Sequence, residues 1–268
     1  MNIDGNTQLI GVIADPVSHV RAPQLFNASA LKQGLNIASI PLQVAPEQLA
    51  TFLNGAAALK NLLGMVVTIP HKEAVISLCG ELTPAATLVG SANIVRWDRE
   101  RAHWVGGNFD GDGFVAGLKE RGHTLAGKRV LQLGAGGAGK AIAYAVAREK
   151  PAEFVLHNRS DARAAEVVAR LALALPDVPM RTGPADATGF DVIINATSLG
   201  LKDGDALPLS IDTLAPGMLV CEAVMRDTDT ALLTAAQARG CLIHQGQYML
   251  YGQLVEMARF FGLPLEPA

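Results

Sequence analysis

The run Gly134-Ala135-Gly136-Gly137-Ala138-Gly139 follows the apolar stretch Arg129 to Leu133 and opens an alanine-rich stretch, Ala138 to Arg148, that reads as a helix. In that context G-x-G-x-x-G spacing suits a pyrophosphate. Gly134 and Gly136 permit a tight turn and close approach of the backbone, Gly137 and Ala138 belong to the same cofactor-binding run, Gly139 lets helix and strand pack closely, and the helix N-terminus supplies free N–H groups. Gly134 to Lys140 also spells G-x-x-x-x-G-K, the start of a triphosphate-binding loop. The next residue is Ala141, which cannot ligate Mg²⁺ as the required Ser or Thr would, so that reading is disfavoured. About 20 residues further on, where NAD enzymes place a carboxylate against the ribose, stand Asn158-Arg159-Ser160. A guanidinium binds a 2′-phosphate by charge-assisted hydrogen bonds, and Arg163 is close enough in sequence to assist, so NADP is favoured over NAD.

Lys72 follows Thr68-Ile69-Pro70-His71 just past another apolar run, where open α/β sheets place their ligands. A lone lysine is most often solvated. Asn108-Phe109-Asp110-Gly111 offers an Asp in a glycine-rich segment, and Ser91-Ala92-Asn93 offers an amide. A Lys whose ammonium is oriented by an Asp could move the proton that accompanies hydride transfer to or from a carbinol. Spacing alone leaves that pairing one option among several.

The elements that must position these groups alternate strand and helix, the pattern of an α/β protein. Strands are expected at Leu9 to Ala14, Ile37 to Val44 and Leu62 to Ile69, helices at Pro23 to Gln33 and Glu47 to Lys60, and a hairpin at Ala92 to Trp97 with Ala102 to Val105. Glycines crowd between Gly106 and Gly117, which reads as a crossing between domains, with a helix from Phe114 to Arg121 after it. A βαβ pattern then restarts: strands Arg129 to Leu133 and Glu153 to His157, helix Ser160 to Leu175, strands Asp191 to Asn195 and Met218 to Glu222, and helix Thr230 to Arg239. An amphipathic helix from Gly246 to Phe261 closes the chain. The expected organisation is a mixed α/β lobe, residues 1–107 rejoined by 245–268, and a doubly wound dinucleotide-binding domain, residues 108–244.

Composition narrows the function classes. Of 268 residues 50% are hydrophobic and 18% charged, which excludes intrinsic disorder. The formal charge of −3, with Lys and Arg scattered, offers no basic stripe for nucleic acid. No run approaches the roughly 18 apolar residues of a membrane span, and the Met1-Asn2-Ile3-Asp4 start lacks the basic residues of a signal peptide, so no membrane partner and a cytoplasmic location are expected. Cys79, Cys221 and Cys241 have neither disulfide nor metal-site spacing and read as small buried apolar residues, and no metal is expected.

Together these residues resemble the shikimate dehydrogenase family over almost the whole chain. The resemblance rests on Asp15-Pro16-Val17-Ser18-His19, Thr68-Ile69-Pro70-His71-Lys72, Asn93, Asn108 with Asp110-Gly111, the glycine turn, Asn158-Arg159-Ser160, Asn195-Ala196-Thr197-Ser198-Leu199-Gly200, and Gln253. It implies a substrate lobe rejoined by the C-terminal helix around a Rossmann domain, and a role in aromatic amino acid biosynthesis. It also implies a Lys72–Asp110 catalytic dyad acting on a small cyclic hydroxylated substrate, with NADP as cofactor and a homodimer among the assemblies open to it. Asn93, Gln253 and Thr68 would hold the substrate, and Thr197, Ser198, Met225 and Gly246 would line the cofactor cleft.

Departures from the family pattern gather at one end of the implied pocket. The family's His-Ser-x-Ser-Pro, whose hydroxyls meet the substrate carboxylate, is here His19-Val20-Arg21-Ala22-Pro23. Val66 stands for an Asn, Phe109 for the Thr before the catalytic Asp, and Met225 for a Tyr. A hydrogen bond to a charged group contributes about 1.5 to 3 kcal/mol, so loss of both hydroxyls at Val20 and Ala22 weakens carboxylate recognition substantially unless Arg21 compensates.

Overall fold

The computed structural model describes residues 2–18, 20–226 and 228–264; His19 of the Asp15-to-His19 motif lies outside them. The chain divides into two compact units, Met1–Phe109 with Leu254–Ala268, and Asp110–Gln253.

The first unit is built on a six-stranded mixed sheet. Its strands are β1 (Gln8–Ala14), β2 (Ile37–Gln43), β3 (Leu62–Val67), β4 (Glu81–Leu82), β5 (Ile94–Asp98) and β6 (His103–Gly107), in the order β2-β1-β3-β5-β6-β4. β1 pairs in parallel with β2 and β3, whereas β3, β5 and β6 run antiparallel in turn. Three helices connect them: α1 (Ala22–Lys32), with Pro23 in its first turn, α2 (Leu49–Ala56) and α3 (Pro84–Val89), which is capped by the Thr83 hydroxyl. Strand alternation sorts the core into two layers. Ile10, Val12, Val66 and Ile94 pack with Phe26, Leu254, Met257 and Phe261; Ile13, Met65, Val67 and Val95 pack with Leu49, Leu53 and Trp104.

One expectation changes here. The helix expected from Glu47 to Lys60 is a 3₁₀ turn, Pro46–Gln48, followed by α2, which ends at Ala56. The chain then tightens, with Ala58 N–H donating to the Gly55 carbonyl and Leu59 N–H to that of Ala56. This releases Asn61, whose carbonyl accepts the Leu9 N–H beside the start of β3. The short elements β4 and α3 carry too few residues for a periodic signal and were not expected.

The second unit is the doubly wound domain. After α4 (Asp110–Glu120) come β7 (Arg129–Leu133), α5 (Gly137–Arg148), β8 (Glu153–His157), α6 (Asp161–Ala174), β9 (Met180–Thr182), β10 (Val192–Asn195), β11 (Leu219–Glu222), α7 (Ala231–Ala238), β12 (Leu242–His244) and α8 (Gln247–Phe260), whose residues from Leu254 on belong to the first unit. The sheet order is β12-β11-β10-β7-β8-β9, all parallel, so the strand order reverses between β7 and β10. In open α/β sheets the crevice beyond the strand ends at that reversal is where ligands bind. The edge strands β9 and β12, three residues each, were not expected.

The largest correction concerns α4, which begins at Asp110 and not at Phe114. Glycine in a helix costs about 1 kcal/mol against alanine, so a glycine-rich segment reads as a loop. Here tertiary packing demands the glycines. A Cβ at Gly111 would collide with the Ala141 carbonyl of α5, one at Gly113 with Gln253 and the Met249 carbonyl of α8, and one at Gly117 with Tyr248.

Candidate functional site

Within the first unit the residues near Lys72 are held by backbone and amide bonds. The Thr68 carbonyl accepts the His71 N–H, and the buried His71 ring pairs through Nε2 with the Val44 carbonyl at 2.8 Å. The Lys72 carbonyl accepts the Ala92 N–H at 2.8 Å, and the Asn93 carbonyl accepts the Val67 N–H at 2.7 Å. Asn93 Oδ1 takes the Phe109 N–H at 3.0 Å, and Asn108 Nδ2 donates to both the carbonyl and the Oγ of Ser91. Thr68, Lys72, Asn93 and Phe109 are thus tied together where β3 and β6 end. Val20, Ala22 and Phe109 are half-buried against the cluster of Phe26, Val66 and Met257, giving this unit an apolar wall.

Asp110 is the first residue of α4, where the helix N-terminus favours a carboxylate. It is 4% exposed, and its Oδ1 accepts a hydrogen bond from Gln253 Nε2 of α8 at 3.0 Å. Gln253 is buried as well, so this amide orients the acid.

The glycine turn separates into fold glycines and others. Gly134 adopts φ +102°, and a Cβ there would lie 2.7 Å from the Ala196 carbonyl; at Gly139 a Cβ would lie 2.5 Å from the Gly134 carbonyl. Those two are demanded by the protein itself. Gly136 and Gly137 meet nothing within 4 Å, and no side chain caps the α5 N-terminus that they open. Side chains there would project into open space above free helix N–H groups, a cradle that fits a pyrophosphate.

Two amides fix this turn. Gln132, wholly buried in β7, donates through Nε2 to the carbonyls of Gly134 and Gly139 at 3.0 and 2.7 Å. Asn158 Oδ1 accepts the Ala135 N–H at 3.1 Å, and its Nδ2 donates to the Ser160 carbonyl. Ser160 Oγ caps α6 by accepting the Arg163 N–H, while Arg159 and Arg163 are exposed. Asn158, Arg159, Ser160 and Arg163 therefore gather at the end of β8 beside the glycine turn.

The loop after β10 closes the opposite wall. Thr197 spends its hydroxyl inside the loop, donating to Asn195 Oδ1 at 2.7 Å and accepting the Leu199 N–H. Asn195 Nδ2 donates to the Leu199 carbonyl and to Glu222, whose other oxygen accepts from the Thr230 hydroxyl at 2.7 Å. Glu222 is fully buried, and desolvation pushes its carboxyl up to about 7, outweighing those hydrogen bonds. Ser198 follows in the same loop. Gly246 has a packing reason for being glycine, because a Cβ would collide with the Val224 carbonyl, whereas Met225 is 45% exposed. Gln132 and Glu222 were missed as site residues, since a single amide or acid inside an apolar strand carries no motif. Among the described residues no cluster of three metal-binding side chains occurs, and no helix is long and apolar enough to cross a membrane.

Comparison with known proteins covers both units. The family model for the shikimate dehydrogenase substrate binding domain matches residues 12–95, and that for shikimate / quinate 5-dehydrogenase matches residues 117–201. The shikimate dehydrogenase (NADP(+)) of Rubrobacter xylanophilus is 41% identical over 261 residues, 96% of this chain and 91% of that protein. Among solved structures, shikimate 5-dehydrogenase from Listeria monocytogenes, in complex with shikimate and NAD, superposes with a TM-score of 0.91 at 31% identity, covering 100% of this chain and 96% of that one. The ligand-free 5-ketofructose reductase of a Gluconobacter strain gives a TM-score of 0.88 at 29% identity, covering 97% and 95%.

Proposed function

Because this chain belongs to the shikimate dehydrogenase family, we propose that it is an NADP-dependent oxidoreductase interconverting a secondary alcohol and a ketone on shikimate and 3-dehydroshikimate or a related cyclic hydroxylated compound. The observation that carries this reading is the full-length similarity to shikimate dehydrogenases. The glycine cradle at the strand-order reversal supports the cofactor assignment. NADP, when bound, exchanges the hydride of the carbinol carbon. The protein's part is the proton of the hydroxyl, which passes to and from the Lys72–Asp110 pair.

In this reading Gln253 holds the Asp110 carboxylate so that it orients the Lys72 ammonium. Asn93 and Thr68 hold substrate hydroxyls, and Gln253 adds its remaining capacity. Gly134, Gly136, Gly137, Ala138 and Gly139 bear the pyrophosphate, and Asn158, Arg159, Ser160 and Arg163 take the adenosine ribose with its 2′-phosphate. Thr197, Ser198, Met225 and Gly246 shape the cleft on the side of the β10 loop, Thr197 by holding that loop rather than by touching ligand.

A second reading draws on the apolar wall of Val20, Ala22 and Phe109: a cyclic polyol without a carboxylate at that end is the better substrate. One experiment separates the readings. Shikimate, other hydroxy acids and neutral cyclic polyols are offered with NADP⁺ while the absorbance of reduced cofactor is followed. Turnover of shikimate above the neutral compounds supports the first, the reverse order supports the second, and turnover of none sinks both.

A further inference from the structure

Lys140, the residue that made the glycine turn resemble a triphosphate loop, has no role in the site described above. It stands at the fourth position of α5, and its backbone N–H donates to the Gly136 carbonyl at 2.9 Å, so its side chain leaves the helix at the end of the first turn. There it meets the start of α6. Lys140, Ala162, Arg163, Glu166 and Val167 line an open recess of about 390 Å³.

The charges facing that recess come from two helices. α5 contributes Lys140, and α6 contributes Arg163 and Glu166. Glu166 lies 3.8 Å from Arg170, one turn along α6, and shares its charge with that residue. Among the described residues neither Lys140 nor Arg163 is engaged in an ion pair. Two cationic residues thus line one space that the protein does not fill, beside the first two turns of the helix that follows β8.

We propose that Lys140 joins Arg163 in binding the 2′-phosphate of NADP and so helps decide which dinucleotide this enzyme takes. The assignment rests on the NADP reading above and deepens it. Its location argues for the 2′-phosphate over the pyrophosphate: the residues across the recess belong to α6, beyond the strand end that meets the ribose in this fold, and not to the β10 loop. An ammonium on a flexible stem suits a dianionic phosphate, acting as a point charge beside the guanidinium fork of Arg163.

The test is equilibrium binding, independent of turnover, to the full chain. Dissociation constants for NADP⁺, NAD⁺, adenosine 2′,5′-bisphosphate and adenosine 5′-monophosphate are measured for the parent, Lys140→Met and Lys140→Arg, with thermal unfolding as the check on folding. Lys140→Met is expected to weaken NADP⁺ and the bisphosphate by about ten-fold, to leave NAD⁺ and the monophosphate within about two-fold, and to be rescued by Lys140→Arg. Equal weakening of NADP⁺ and NAD⁺ would place Lys140 on the pyrophosphate and overturn the proposal, as would no weakening of either. A parent that binds NADP⁺ and NAD⁺ equally overturns the cofactor reading and this inference with it. A parent that prefers NADP⁺ and keeps its preference in Lys140→Met overturns the inference alone.

Discussion

Lys72 is the residue on which the proposed proton transfer depends most directly. Replacing it with Ala is expected to lower turnover on the true substrate by about 10² to 10⁴, the usual worth of a positioned acid or base, with NADP⁺ affinity unchanged within a few-fold. Single-turnover hydride transfer measures this; a rate within a few-fold of the parent makes Lys72 a surface residue. The apolar wall gives a second residue-scale test. Val20 and Ala22 sit half-buried against Phe26, Val66 and Met257, and the double change Val20→Ser with Ala22→Ser is expected to raise kcat/KM for shikimate by about ten-fold. The gain stays below the full value of two charged hydrogen bonds, because Val66 and Phe109 keep the neighbouring surface apolar. If the parent already oxidises shikimate efficiently and Arg21→Ala abolishes that activity, Arg21 carries the carboxylate and the reading of a substrate without a carboxylate fails.

At the scale of elements, the glycine turn between β7 and α5 allows fold and ligand to be separated by mutation. Gly134→Ala forces a side chain at φ +102° against the Ala196 carbonyl and is expected to cost about 1 to 3 kcal/mol of stability. Gly136 has an ordinary φ of −74° and open space around it, so Gly136→Ala is expected to leave stability unchanged or raise it by about 0.5 kcal/mol while weakening NADP⁺ ten-fold or more. Urea denaturation with and without NADP⁺ reads both effects, and unchanged NADP⁺ affinity in Gly136→Ala would show that no pyrophosphate approaches there. This turn was legible in the sequence because strand, glycines and helix are contiguous. The start of α4 was not, because Gly111 and Gly113 are required by α5 and α8, partners distant along the chain. The same holds for Gln132 and Glu222, whose roles depend on carbonyls and amides brought near by folding. Of the three cysteines, Cys221 and Cys241 are buried as their type suggests, while Cys79 is only partly buried, its thiol still pushed up to about 11 by desolvation.

At the scale of the whole molecule, two buried titratable groups of the second unit oppose each other in the pH dependence of stability. Burial raises the Glu222 carboxyl from 4.5 to about 7, so the folded state holds a proton there that the unfolded chain releases; this stability is present below pH 4.5 and is lost as pH rises to 7. His244 is fully enclosed among Phe114, His123 and Tyr248, and desolvation, with the charges of His123 and Arg121, lowers it from 6.5 to about 4. Its contribution is therefore present above pH 6.5 and is lost as pH falls to 4. Between pH 4.5 and 6.5 the two slopes have opposite sign and similar size, so the parent's stability should be nearly flat with respect to this pair. Glu222→Gln keeps an acceptor for the Asn195 amide, and the Thr230 hydroxyl can reverse to accept from the new amide, so the variant folds with the β10 loop in place. Removing the titration unmasks His244: the stability of Glu222→Gln relative to the parent should climb by about 2 to 3 kcal/mol from pH 4.5 to pH 7 and then level off. Urea unfolding of both proteins at half-unit pH steps measures that difference. A difference that stays constant across the window would mean that Glu222 is already ionised in the folded protein, and that Asn195 and Thr230 stabilise its charge well enough to offset burial.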